Sequence, residues 1–187
     1  MKSLMQSILI TESQIHQRVR ELGQQISQDY QNRDLVLLCV LKGAVVFLAD
    51  LLRAISIPVR CEFIQLASYQ ERTESSGNVQ MIQGLNGVVL SQADVLIVED
   101  IIDTGQTLRF LLNHIATLKP ASVKVCSLLD KPACRTVPIT IDYTGFDLPD
   151  VFVVGYGLDY AQQYRNLPYI AVLDPCEGMF QIPEKMC

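Results

Sequence analysis

Apolar positions follow two alternating rhythms along this chain. Ile15, Val19, Leu22 and Ile26 recur at three- and four-residue steps behind Thr11, which forms a capping box with Gln14, so a helix is expected there. Asp34 to Leu41 then reads as a continuous apolar run, the pattern of a strand buried on both faces. Lys42-Gly43 breaks the run, and Ala44 to Ile55 has helical spacing. Val59, Cys61 and Phe63 alternate with Arg60 and Glu62, which predicts a strand. Ser68 to Asn78 is polar and without period, a long loop. Short strands are expected at Val79 to Ile82 and around Val88 to Leu90.

The second half repeats the theme. Asp94 to Glu99 is a buried-strand pattern, and Thr107 to Leu118 is a helix closed by Lys119-Pro120. Ser122 to Leu129, Val151 to Tyr156 and Tyr169 to Leu173 are further strand candidates. Strands alternating with helices imply an α/β fold, a mostly parallel central sheet flanked by helices. Ligands of such sheets bind at the carboxyl ends of the strands. That rule singles out Leu41 to Gly43, Glu99 to Thr107, Leu129 to Pro132 and Tyr156 to Arg165.

Composition narrows the class. At 187 residues, 49% hydrophobic and 19% charged, the chain is ordinary globular material and fits one domain, 1–187. A net charge of −5 argues against a protein built to hold nucleic-acid backbones. Among the six cysteines there is no C-x-x-C pair, and Cys39, Cys61 and Cys126 sit in apolar runs as small core residues, so no disulfide framework is expected. No apolar run approaches a membrane span, and Met1 to Ile10 is too short for a signal segment, which together predict a cytoplasmic protein without membrane or nucleic-acid partners.

Chemistry concentrates in Val95 to Leu108, VLIVEDIIDTGQTL. A buried strand runs into Glu99 and Asp100. Then Asp103-Thr104-Gly105-Gln106-Thr107 leads into a helix, where glycine permits a tight turn and free amides with threonine hydroxyls can surround a phosphate. The lysine of a G-K-[ST] loop is missing and carboxylates crowd the segment instead. Carboxylates suit ribose hydroxyls and Mg²⁺. Composition alone would equally allow an ordinary strand-to-helix turn with Asp or Thr as its cap.

The segment resembles the phosphoribosyl pyrophosphate (PRPP) motif of type I phosphoribosyltransferases, in the form of the hypoxanthine-guanine branch. Leu41-Lys42-Gly43 resembles that family's pyrophosphate-side loop. Ser68-Tyr69 with Thr73 to Gly77 resembles its mobile loop, about 68–78. Leu128 to Lys131 with Arg135 resembles the purine-side segment, and Phe152 to Arg165, FVVGYGLDYAQQYR, the C-terminal hood. The resemblance implies the type I fold, with a hood formed by about 1–12 and 150–187 over the strand ends. It also implies a cis peptide at Leu41–Lys42.

Roles follow from the same resemblance. Glu99 and Asp100 match the pair set against the ribose hydroxyls, where Mg²⁺ also sits, and Asp159 a second-metal position. Asp103 matches the acid facing N7 of the purine, the proposed general base. Thr104, Gly105, Gln106 and Thr107 match the 5-phosphate cradle, and Lys42, Gly43 and Arg165 the pyrophosphate side. Lys131 matches the donor to O6, Phe152 the ring stacked on the base, and Val153 with Asp159 its main-chain contacts. The implied substrates and products are PRPP, hypoxanthine or guanine, IMP or GMP, and pyrophosphate, on a homodimer or homotetramer.

Alternatives remain at this stage. A regulator keeping the PRPP motif should carry a basic face, and a transferase for xanthine, adenine or uracil should differ around the base. Gly155-Tyr156-Gly157 begins like a dinucleotide fingerprint, but Tyr160 stands in the third glycine's place. His16 and His114 lie on helices with no partner motif, and 175–187 matches nothing securely.

Overall fold

The computed structural model describes the backbone of residues 5–69, 78–85 and 87–173. Six strands form the central sheet: β2 (Leu35–Leu41), β3 (Val59–Tyr69), β4 (Asn78–Gln83), β5 (Asp94–Ile102), β6 (Ser122–Asp130) and β7 (Tyr143–Asp147), in the order β4-β3-β2-β5-β6-β7. All neighbours run parallel except the β3–β4 pair. A smaller antiparallel sheet joins β1 (Met5–Ile10), β9 (Ile170–Leu173) and β8 (Val153–Val154).

The helices are α1 (Glu12–Asp29), α2 (Val45–Ala54) and α3 (Gln106–Thr117). The Thr11 capping box forms as expected: Gln14 N–H donates to Thr11 Oγ1, and Thr11 N–H donates to Gln14 Oε1 at 2.9 Å. Ile15, Val19, Leu22 and Ile26 are buried along one stripe.

Strand alternation divides the core in two. Leu35, Leu37 and Cys39 of β2 pack with Leu96 and Val98 of β5 on the side of α1 and α2. Val36, Leu38 and Val40 pack with Val95 and Ile97 on the side of α3, around Leu108, Leu111 and Ile115. Both faces are covered, which is why these strands read as unbroken apolar runs. The chain leaves β2 through α2 toward β3, and leaves β5 through α3 toward β6 on the other flank. The strand order therefore reverses between β2 and β5, and the loops after those two strands border one crevice.

Four expectations change. Val88 to Leu90 is no strand: Val88 N–H donates to the Leu85 carbonyl and Ala93 N–H to the Leu90 carbonyl, so local turns satisfy the backbone while Leu90 plugs the core. Of Val151 to Tyr156 only Val153–Val154 is strand, because Gly155 (φ 103°) and Tyr156 (φ 49°) turn the chain away. β1 and β7 form where no strand was expected. The expected loop 68–78 is shorter, since Ser68, Tyr69 and Asn78 belong to the β3–β4 ladder; 70–77 and the tail 174–187 lie outside the described residues. Cys39 and Cys126 are buried as expected, whereas Cys61 is only partly so. No helix among the described residues is long and apolar enough to cross a membrane.

Candidate active site

Three loop segments meet at the carboxyl ends of the strands. Leu41–Lys42, at the end of β2, is a cis peptide, and Lys42 is exposed while its carbonyl accepts from Val45 N–H as α2 begins. Gly43 is a close-contact glycine: a Cβ there would collide with the Asp100 carboxylate, and a Cβ on Gly157 would collide with the Gly43 carbonyl oxygen. The β2 loop is thus held between the end of β5 and the segment after β8, against a side-chain carboxylate at Gly43 and against backbone at Gly157.

β5 delivers the acids. Glu99 is 6% exposed, and burial, reinforced by the neighbouring Asp100 charge, pushes its carboxyl well above the usual range. Asp100 is raised to about 6, chiefly by burial. Backbone N–H groups and the Arg165 charge oppose that shift, and Asp103 adds to it. Ile101 N–H donates to Asp100 Oδ1 at 3.0 Å. A buried acid beside a partly buried one invites a cation or hydroxyl groups to share their charge.

The turn from β5 into α3 is open at its centre. Gly105 caps the helix with φ 84°, and Arg109 N–H donates to its carbonyl to close the first turn. The amides of Thr107 and Leu108 precede that first helical bond and have no partner within the helix. Thr104 is pinned from behind: its carbonyl accepts from Thr136 N–H at 3.1 Å and from Thr136 Oγ1 at 3.3 Å. Gln106 Nε2 donates to Thr136 Oγ1 at 3.4 Å. A fixed turn with free amides and the positive end of a helix dipole suits a phosphate.

Beside this turn, Lys131 Nζ lies 3.3 Å from Asp103 Oδ1. The lysine is 8% exposed, but half of the Asp103 side chain faces solvent. Lys131 is placed by its N–H bond to the Ile102 carbonyl. Arg135, after the 3₁₀ turn Pro132–Cys134, pairs with Asp130 and packs near Gly105. Sequence reasoning put Arg135 in this segment without a role. It braces β6 against the turn.

The hood closes the other side. Arg165 Nη2 lies 2.7 Å from Asp159 Oδ1, and Arg165 Nη1 donates to the Gly157 carbonyl at 2.6 Å. Asp159 Oδ2 accepts from Gln162 N–H. Val153 is buried within β8, while Phe152 is 38% exposed with its ring edge-on to Tyr160 at 5.8 Å. An exposed aromatic at a crevice edge leaves a face for a planar ring. Tyr160 as its support was missed, although it stands inside the hood segment.

The expected residues are therefore joined. Glu99, Asp100, Asp103, Arg165 and Asp159 form one run of mutual charge interactions, with Lys131 attached through Asp103. Glu99 and Asp100 stand together at the end of β5 and Asp159 stands apart in the hood; no group of three or more His, Cys, Asp or Glu among the described residues is arranged to hold an ion by itself. Asp159 is committed instead to Arg165 and Gln162. Ser68 and Tyr69 end β3, and nothing described shows them over the crevice.

A family model described as phosphoribosyl transferase domain matches residues 7–161. The chain belongs to that family. The hypoxanthine-guanine phosphoribosyltransferase of Bacillus subtilis (strain 168) is 46% identical over 175 residues, covering 94% of this chain and 97% of its own length. The bifunctional protein TilS/HprT of Listeria innocua is 49% identical over 170 residues, covering 91% of this chain; the match spans only 26% of that relative's length. Among solved structures, a hypoxanthine phosphoribosyltransferase from Staphylococcus aureus superposes with a TM-score of 0.88 at 42% identity, covering 95% of this chain and 98% of the other. The phosphoribosyltransferase fold expected from the sequence is the fold observed.

Proposed function

We propose that this phosphoribosyltransferase transfers the 5-phosphoribosyl group of PRPP to hypoxanthine, and also to guanine, giving IMP or GMP and pyrophosphate in purine salvage. The carrying observation is the Lys131–Asp103 pair beside the Gly105 turn. A 6-oxopurine presents an acceptor at O6 next to a donor at N7–H. An ammonium and a carboxylate side by side complement that edge, the ammonium donating and the carboxylate accepting. Names of near-full-length relatives point the same way.

The residues divide the work. Thr104, Gly105, Gln106 and Thr107 hold the 5-phosphate with backbone amides and hydroxyls. Glu99 and Asp100 face the ribose hydroxyls and oppose the positive charge that develops on the sugar as the bond to pyrophosphate lengthens. Asp103 accepts the N7 proton, which sharpens the attacking nitrogen. Phe152 stacks on the base and Val153 offers backbone contacts to its edge. Lys42, Gly43 and Arg165 bind the departing pyrophosphate.

Mg²⁺ fits the donor set, since it is commonly held by one or two carboxylates together with substrate oxygens rather than by a closed protein cage. Glu99 and Asp100 are the residues that would hold it, with Asp159 reaching only through water. Bound there with PRPP, it supplies charge neutralisation to the leaving group. The segment joining β3 to β4 is assigned, on the resemblance alone, the role of the lid that keeps water from the reacting sugar. Cytoplasmic residence and a homodimer or homotetramer belong to the same reading. The test is incubation with PRPP and hypoxanthine while following IMP and pyrophosphate together. Equimolar release with Mg²⁺ and none in excess chelator supports the proposal, and undiminished turnover in chelator removes the metal from it.

A further inference from the structure

Tyr156 stands between two left-handed glycines of the hood, yet its ring is buried, 3% exposed. Its hydroxyl donates to Asp50 Oδ2 on α2 at 2.5 Å. The other Asp50 oxygen pairs with Arg53, and His16 Nε2 of α1 lies 4.0 Å from Oδ2. Asp50 is itself largely buried, its side chain 16% exposed. α2 begins directly after Lys42-Gly43, so this bond ties the hood to the helix that carries the β2 loop.

What Tyr156 anchors is specific. Its own N–H donates to the Leu167 carbonyl, and Gly157 N–H donates to the Arg165 carbonyl. The Gly157 carbonyl in turn receives Arg165 Nη1, and the Gly43 carbonyl oxygen packs against the Gly157 Cα. The base-facing residues hang from a different support. Val153 and Val154 pair with β9, which Tyr156 does not touch through its hydroxyl.

The geometry points to Asp50 and Tyr156 as positioning residues for the pyrophosphate side of the site: their bond sets the distance between the Gly43 loop and the Gly157–Arg165 turn. This rests on the phosphoribosyl-transfer reading above. The bond is charge-assisted and partly buried, and bonds to charged groups are among the stronger individual contributions. Losing it frees the hood turn without emptying the core, since a phenylalanine ring would still fill the same space.

The test compares full-length Tyr156→Phe, Asp50→Leu, Asp50→Asn and the double variant Tyr156→Phe with Asp50→Leu. Tyr156→Phe and Asp50→Leu should each raise the KM for PRPP about 10-fold, the low end for a hydrogen bond to a charged group. The KM for hypoxanthine should stay within about twofold. The double variant should be no worse than Asp50→Leu, because that change already removes the Tyr156 bond along with the Arg53 pair. Asp50→Asn keeps an acceptor oxygen and should restore PRPP affinity.

An unchanged KM for PRPP in Tyr156→Phe would overturn the inference. So would parallel loss of both KM values with a fall in melting temperature, or effects that multiply in the double variant. Failure of the function is separable from failure of the latch. A wild-type chain that does not consume PRPP refutes the proposed reaction. Amide exchange at Tyr156 and Gly157 then decides the latch alone: it survives only if Tyr156→Phe accelerates that exchange.

Discussion

From Glu99 to Thr107 an uninterrupted stretch carries the paired acids and the Gly105 turn, whereas the hood is closed by residues from both ends of the described chain. In the first region β5 simply runs out into Gly105 and α3, and Thr136 locks Thr104 from one neighbour. In the second, β1 pairs with β9, β9 pairs with β8, and the turn beyond β8 needs Gly155, Tyr156, Gly157, Ala161, Gln162 and Tyr164 at positive φ. One region is local and stiffened by its own sequence. The other is held by distant partners, and its left-handed residues persist only while those partners are present.

The comparison breaks most visibly at chemistry carried by the local region. Asp103→Asn should lower kcat by roughly 10²–10⁴-fold, the usual reach of general acid–base catalysis, while PRPP affinity is largely kept. Thr104→Ala or Thr107→Ala should instead weaken PRPP binding. Steady-state kinetics separates the two, and an Asp103→Asn enzyme at wild-type kcat would remove Asp103 from proton transfer.

Matched glycine substitutions probe the scaffolds themselves. At Gly105 the left-handed backbone costs alanine about 1–2 kcal/mol, and the nearest obstacles are the side chains of Ile139, Val137 and Arg135, which can shift. At Gly155 a Cβ meets the Tyr169 carbonyl, which is backbone and cannot give. Gly155→Ala should therefore cost more, about 2–4 kcal/mol in denaturant unfolding. Equal costs would mean the hood is no more tightly determined than the loop.

Lys131→Met sharpens the contrast at the base. Losing the ammonium should reduce kcat/KM for hypoxanthine about 10–150-fold, the range of a hydrogen bond to a charged group, and narrow the margin over adenine.

A smaller effect separates the regions by pH. Burial raises Asp100 from 3.8 to about 6, so the folded state binds its proton more tightly than the unfolded chain does. Stability without ligand is then fullest below about pH 4 and declines as pH rises through about 6. Glu99, shifted in the same direction, adds to the trend. Asp100→Asn should flatten this profile in thermal melts, while Asp159→Asn in the hood should leave it.

The same division governs what could be read from sequence. The acids, the Gly105 turn, the α1 cap and the buried strands were legible because each rests on adjacent residues or a short period. β1 was not, because Met5–Ile10 becomes a strand only by meeting β9. β7 was obscured by Gly145 inside it, since a glycine weakens strand character; a Cβ at Gly145 would strike the Leu128 carbonyl, so the glycine reflects contact with β6. Tyr156 and Asp50 carried no local signal joining them, and only the hood's flanking glycines marked the turn that lets the ring reach α2. Lys131 and Asp103 were named as site residues from resemblance, while their pairing is a fact of the fold.

The most direct test of 6-oxopurine phosphoribosyl transfer at the Lys131–Asp103 pair is a competition among hypoxanthine, guanine and adenine. All three are supplied at equal concentration with limiting PRPP and Mg²⁺, and the nucleotide products are separated and counted. A site built around an O6 acceptor can discriminate by about 10⁴ against a base that offers a donor there. The account predicts IMP and GMP with essentially no AMP. AMP formed as fast as IMP would contradict it.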